Sequence, residues 1–230
     1  MKKLLVGLVT LLLSTSAFAG SKEVKKFDRI NIDQDRLLVL KGDVRDFTVD
    51  PVVNDMVSMN EVDDKARIYL VINTNGGSIE AGMRLVTTMR SIEAPVICLI
   101  DSKAYSMGAV IATFCTRTYV HKNASLMFHE ASYSVAGPES IIPSRVNATI
   151  KYLKQFHSDV AEKLGMSYKQ YKRKIANEWW LTPEEAVKAG VAHAIIDKLV
   201  YRYEERQQPP FFTIGFDYEI TDKPVYIEMK

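Results

Sequence analysis

The 230-residue sequence predicts an α/β fold of repeated βα units around a largely parallel sheet, and three observations carry that reading. Runs of β-branched and apolar residues (Ile68, Leu70, Val71 and Ile72; Val96 to Ile100) each pass within a few residues into glycine or serine, as buried strands do where they turn into helices. The segment between them carries Ile79, Met83, Val86 and Met89 at spacings of four and three, a core-facing helical stripe. Further on, Ile142, Val146, Ile150, Leu153, Phe156, Val160 and Leu164 form a longer stripe of the same period. Strands that alternate with helices pair in parallel, because each crossover returns the chain to the same end of the sheet.

Taken in order, residues 1–19 read as a secretory signal peptide: Lys2 and Lys3, an apolar run from Leu4 to Leu13, polar Ser14 to Ser16, and Ala17-Phe18-Ala19 as the cleavage site. About ten apolar residues are too few to span a bilayer. A cut before Gly20 leaves no cysteine to carry a lipid, so the expectation is a soluble protein outside the cytoplasm, secreted or periplasmic. Loss of Lys2 and Lys3 brings the formal charge from +2 to zero, which removes any bulk electrostatic case for nucleic acid or an anionic membrane. The remaining length suits one domain, residues 20–206, with a sizeable core.

Within that domain Gly20 to Arg29 reads as charged and loose, and Leu37 to Leu40 as a short strand. Asp50-Pro51 reads as the N-cap and first position of a helix whose apolar face is Val52, Met56 and Met59. Gly137-Pro138 breaks the chain before the long helix from Ile142 to Leu164. Ser167 with Gln170 and Thr182 with Glu185 are capping boxes, and Gly190 closes the second of these helices. Residues 207–230 read as an extension, a Gln207 to Pro210 linker followed by a β-hairpin from Phe211 to Met229 that turns at Asp222-Lys223-Pro224. The two cysteines, Cys98 in a strand and Cys115 near the end of a helix, read more readily as buried thiols than as a bridge. A helix packs about 10 Å from a sheet, whereas a disulfide needs Cα atoms within about 7 Å.

Chemistry concentrates between Asn73 and Glu130. Asn73-Thr74-Asn75-Gly76-Gly77-Ser78 ends one strand, and its backbone N–H groups, free of a ladder, can face a ligand. Ala104-Tyr105-Ser106-Met107-Gly108-Ala109 places a serine at a second strand-to-helix turn, and Leu126-Met127-Phe128-His129-Glu130 places a histidine at a strand end. Alone, Ser106 is an N-cap and Gly76-Gly77 a turn. Together they supply a nucleophile, a base and amide donors.

The order GGS, helix, apolar strand, A-x-SMGA, helix, strand, M-x-H resembles the ClpP family, the proteolytic subunits of the Clp protease, from about Asp35 to Ile196. The resemblance implies a ClpP/crotonase-like fold whose long helix projects as a handle and packs against another subunit of a homo-oligomer, a ring rather than a dimer. The same stripe read by itself is equally a helix lying flat on its own core. The resemblance further implies Ser106 as nucleophile, His129 as its general base, and the N–H groups of Gly77 and Met107 as oxyanion donors. Counting back from Pro183 and Gly190, the family's aspartate falls on Glu178, one methylene longer but still able to orient an imidazolium. Asn75 stands where a proline is usual, and Glu130-Ala131 where Gln-Pro is usual.

A peptide substrate is expected to add as a strand beside Gly76, Gly77, Ser78 and Ile79 on one side and Glu130 and Ala131 on the other. No metal or cofactor is expected, and His121, His157 and His193 read as ordinary histidines. Three functions stay open. The first is a serine endopeptidase acting outside the cytoplasm on peptides or unfolded polypeptides. The second is a crotonase-type acyl-CoA enzyme, against which the Ser-His pair speaks. The third is a non-catalytic ring serving as a scaffold, for which Glu178 is the hint. The ATPase that feeds ClpP is cytoplasmic, so no ATPase partner is identifiable for a chain exported from that compartment.

Overall fold

The structure, a computed structural model, describes residues 24–202, so the signal-peptide reading of residues 1–19 and the hairpin reading of residues 211–229 lie outside the described residues. The chain runs β1 (Lys26–Asp33), β2 (Leu37–Val44), α1 (Asp46–Val62), β3 (Ile68–Gly77), α2 (Ile79–Ser91), β4 (Val96–Tyr105), α3 (Met107–Phe114), β5 (Arg117–His121), β6 (Ser125–Phe128), α4 (Ile142–Lys163), α5 (Tyr168–Ile175), β7 (Trp179–Leu181), α6 (Pro183–Lys188) and β8 (Ala194–Arg202). The main sheet has the order β1-β8-β5-β4-β3-β2, and every neighbouring pair in it is parallel, as the alternation of strands and helices predicts.

Both faces of the central strands β3 and β4 are buried, which is why these strands are continuous apolar runs. Along β3, Leu70 and Ile72 enter the larger core with Met56 of α1, Leu85 and Val86 of α2 and Ile111 of α3. Val71 points the other way, into a smaller cluster with Ile32, Ile97, Leu99 and Ile196. Arg36 is buried between β1 and β2, where its guanidinium donates to the carbonyls of Asp63 (2.9 Å), Ala66 (2.8 Å) and Met59, tying down the C-terminal end of α1.

The feature that positions the site is a fork in β4. Ile97 to Ile100 pair with Arg117 to Val120 of β5, after which Lys103 to Tyr105 pair with Ser125 to Met127 of β6. Strand β7 then runs antiparallel to β6, with Phe128 opposite Trp179. Because Thr74 of β3 pairs with Ala104, the ends of β3, β4 and β6 and the beginning of β7 come together.

Four local expectations are corrected. Residues 26–29 are not loose: they open β1, whose Lys26 pairs with Ile195 and Arg29 with Lys198 of β8, a partner too distant in sequence for local composition to reveal. The short strand at Leu37 runs on to Val44. The first helix starts at Asp46, where Thr48 Oγ1 accepts from Arg45 N at 3.0 Å, so Pro51 lies inside it. Cys98 and Cys115 form a disulfide with Cα atoms 6.0 Å apart. The spacing of a helix axis from a sheet does not apply to Cys115, because it is the residue after α3, where the chain already returns to the sheet and Thr116 N donates to Val96 O.

The stripe of α4 divides. Phe156 and Val160 are buried, whereas Ile150 is 50% exposed and Ile142, Val146 and Leu153 are only partly covered. Both capping boxes form, Ser167 Oγ accepting from Gln170 N at 3.3 Å and Thr182 Oγ1 from Glu185 N at 3.3 Å. Gly190, at φ +79°, ends α6 as its sequence position predicts.

Candidate active site

Ser106 is the single residue between β4 and α3, and it turns the chain with φ 53° and ψ −120°. Ser106 and Glu178 are the two non-glycine residues of positive φ among the described residues, a conformation that costs about 1–3 kcal/mol at each. The turn is held from both sides. Ser106 N donates to Met127 O of β6 at 2.7 Å, and Ser106 O accepts from Ala109 N and Val110 N of α3 at 3.1 and 3.2 Å. Gly76, at φ +96°, presses on the same turn: a Cβ there would lie 2.6 Å from Ser106 Cβ and 2.9 Å from Met107 N. A side chain at Gly77 would stand 2.4 Å from Val44 O, so Gly76 lets the end of β3 close on the start of α3 and Gly77 lets it close on the end of β2. Met107, first in α3, has a backbone N–H without an intrahelical acceptor, and the helix dipole adds positive potential beside the Ser106 hydroxyl.

His129 follows the last residue of β6, and its Nε2 lies 2.7 Å from Ser106 Oγ. A hydroxyl so bonded to an imidazole can lose its proton as it attacks an acyl carbon. The β6–β7 register pairs Leu126 with Leu181, Met127 with Trp180 and Phe128 with Trp179. His129 follows β6 and Glu178 precedes β7, so the antiparallel pairing of those two strands brings both residues to the same end of the ladder. The Glu178 carboxylate, however, goes elsewhere: Oε2 accepts from Trp180 Nε1 at 2.9 Å, and the Trp180 ring packs edge-on against Tyr105 at 5.0 Å. Glu178 is thus brought to the level of His129 and held there by the indole rather than by the imidazole.

The remaining expected contact residues divide between two hollows. Ile79 and Ala131 line a narrow slot of about 20 Å³, room for about one water, with Ser106 and His129. Gly77, Ser78 and Ile79 border an open groove against Tyr133, Tyr152 and Leu153. Gly76 is buried behind the Ser106 turn. Glu130 pairs with Lys172 of α5, whose hydrogen bond holds the Glu130 carboxyl below its ordinary range.

The sequence reading missed the floor of the slot. His157, 4% exposed, lines it with Phe156 and Tyr171, and its ring stacks obliquely on theirs at 5.1 and 5.8 Å. Desolvation first, and the charge of Lys172 second, push the His157 pKa down to about 4, so the ring is neutral at pH 7. Burial likewise raises the Tyr171 phenol. A signal was present: position 157 is four beyond Leu153 and three before Val160, on the stripe itself, so a polar residue there interrupts a core-facing row. His121 and His193 are ordinary in their bonding, His121 Nε2 lying 3.0 Å from Asp197 O and His193 Nδ1 accepting from Thr118 N at 3.0 Å.

A strained serine between a parallel strand and a helix, bonded to a strand-end histidine, defines a class of site in which a hydroxyl is poised beside its base. Comparison with known proteins agrees with that class. The Clp protease family model matches residues 20–199, and the chain belongs to the Clp protease family. It is similar to the ATP-dependent Clp protease proteolytic subunits of Streptococcus pyogenes serotypes M5 (strain Manfredo), M49 (strain NZ131) and M1, at 29% identity over 168 residues, which is 71% of this chain and 86% of each relative.

Proposed function

We propose that this member of the Clp protease family is a serine endopeptidase that cleaves peptides or unfolded polypeptides outside the cytoplasm. The observation that carries the reading is the 2.7 Å bond from His129 Nε2 to Ser106 Oγ at the strained turn. In the reaction, His129 takes the hydroxyl proton as Oγ attacks the scissile carbonyl, and the N–H groups of Gly77 and Met107 receive the oxyanion. The imidazolium returns its proton to the departing amine, leaving an acyl-enzyme on Ser106. A water deprotonated by His129 then releases the acid and regenerates the serine. The substrate lies extended between residues 77–79 and residues 130–131.

Export is supported by the signal-peptide pattern of residues 1–19 and by the Cys98–Cys115 bridge, a linkage that persists in oxidising compartments. Assembly into a homo-oligomeric ring is supported by the half-covered apolar row of α4. Hydrolysis of an unfolded polypeptide by the purified protein tests the activity. It is expected to vanish in Ser106→Ala and His129→Ala while both variants keep their helical content, and full activity in Ser106→Ala contradicts the reading. The bond from Trp180 to Glu178 favours one second reading, an assembled scaffold whose triad no longer closes. An inert wild type of ring mass is the outcome that selects it.

A further inference from the structure

His129 stands where the chain leaves a ladder. Phe128 is the last residue of β6, and among the described residues the backbone of residues 129–135 makes no hydrogen bond to other backbone groups. The imidazole itself has one hydrogen bond among those residues, to Ser106 Oγ, since the Glu178 carboxylate accepts from Trp180. Orientation matters at such a place: a base misplaced by about 1 Å costs on the order of a hundredfold in rate.

Helix α5 holds His129 from both flanks with two adjacent residues. Tyr171, 1% exposed, sets its ring edge-on against Phe128 at 6.3 Å, and the ammonium group of Lys172 pairs with the Glu130 carboxylate. That ion pair is the first polar tether of the chain beyond His129 among the described residues; the next is at Ala136, whose carbonyl accepts from Arg145. The helix is itself fixed, by the capping box of Ser167 and Gln170 and by the burial of Tyr171 and Ile175. Lys174 adds a third grip, its ammonium lying 4.5 Å from the centre of the Trp179 ring, and Trp179 is the ladder partner of Phe128.

We propose that Glu130 and Lys172 are a positioning pair for the general base: they anchor the backbone that follows β6 so that His129 Nε2 faces Ser106 Oγ, and so orient a histidine that no carboxylate orients. This rests on the peptidase reading of Ser106. Side chains 31% and 49% exposed, as those of Lys172 and Glu130 are, form a pair that adds little to stability. The mark of positioning is therefore a loss of rate without a matching loss of melting temperature. Lys172 also lends its charge to the surroundings of His157, so Glu130 has to be varied independently of it.

The test compares the wild type with Lys172→Met, Glu130→Ala, the two together, and Lys172→Arg. The rate of fluorophosphonate labelling at Ser106, kcat and KM on an unfolded polypeptide, and the melting temperature are measured, and the His129 ring is followed by NMR of histidine-labelled protein. Labelling and kcat are expected to fall on the order of tenfold in each single truncation, with KM and melting temperature nearly unchanged. The double variant is expected to be no worse than either single one, and Lys172→Arg to keep most of the rate. Wild-type labelling and kcat in Lys172→Met overturn the proposal, as do losses that add in the double variant. A loss in Glu130→Ala confined to KM makes Glu130 a substrate contact and overturns it too. If Lys172→Met does not fold, Glu130→Ala, which truncates an exposed side chain, decides on the same readouts. A wild type that neither takes label nor turns over removes the peptidase reading, and the His129 resonances then decide the positioning: single in the wild type and broadened or doubled in Glu130→Ala upholds it, whereas unchanged resonances overturn it.

Discussion

Glu178 shows how much a single side chain decides here. The β6–β7 ladder brings it to the same end as His129, yet its carboxylate accepts from Trp180 Nε1 at 2.9 Å. If that indole competes with the imidazole, Trp180→Phe keeps an aromatic side chain beside Tyr105 and removes the competing N–H. Steady-state kinetics should then show kcat/KM rising severalfold, and Glu178→Gln in the same background should return it to the wild-type value or below. No change in either variant shows that Glu178 takes no part. His157 gives a second prediction, of stability. Its pKa falls from 6.5 unfolded to about 4 folded, so between those values the unfolded chain binds a proton that the native state refuses. Stability from this group is therefore full above pH 6.5 and is lost as the pH falls toward 4. Urea unfolding should show the wild type losing on the order of 1 kcal/mol more than His157→Leu between pH 7 and pH 4.5. Ser106, His129 and the double glycine were legible in the sequence because each sits in a short contiguous motif at a strand end. The burial of His157 was signalled only by its place on the α4 stripe, and the pairing of Glu178 with Trp180, two residues on, was not legible because it depends on the turn of the backbone at Glu178, where φ is 54°.

At the scale of elements, local chemistry was a good guide wherever one segment decides the outcome. The two capping boxes and the stripe of α2 formed as read, because a cap satisfies backbone groups within its own turn. It was a poor guide where a distant partner decides. Lys26 to Arg29 reads as charged and loose until β8 pairs with it, and Asp50-Pro51 looks like a helix start until Arg45 and Thr48 supply an earlier one. The cysteines belong to the second kind. Cys115 was measured against the axis of α3, whereas it lies beyond that helix, on the path back to β5. The bridge spans 17 residues, and a loop of that length constrains the unfolded chain by about 3 kcal/mol. Cys98→Ala with Cys115→Ala should lower the melting temperature by roughly 5–10 °C in a thermal scan. Thiol labelling of the unfolded, unreduced wild type should find no free cysteine, and quantitative labelling contradicts the bridge.

For the whole molecule, α4 is the element whose apolar row is only half covered. Its C-terminal half enters the core through Phe156 and Val160, while Ile150 stands 50% exposed and Tyr152 46% exposed on the half that leads away. A row of large apolar side chains left open to water is costly, and a symmetric partner removes that cost. Ile150→Asp with Leu153→Asp should lower the mass seen by light scattering while leaving the fold intact, since neither residue is buried in its own core; a monomeric wild type contradicts the assembly. Such assembly would also enclose the open groove beside Gly77, which Tyr152 and Leu153 of the same helix border. The claim on which the rest depends remains the pairing of Ser106 with His129, and covalent labelling addresses it without knowledge of the substrate. A fluorophosphonate probe followed by intact mass and peptide mapping should place one adduct per chain on Ser106, lost in Ser106→Ala and reduced at least a hundredfold in rate in His129→Ala. A folded, assembled wild type that takes no label, or one labelled equally fast without His129, contradicts the account.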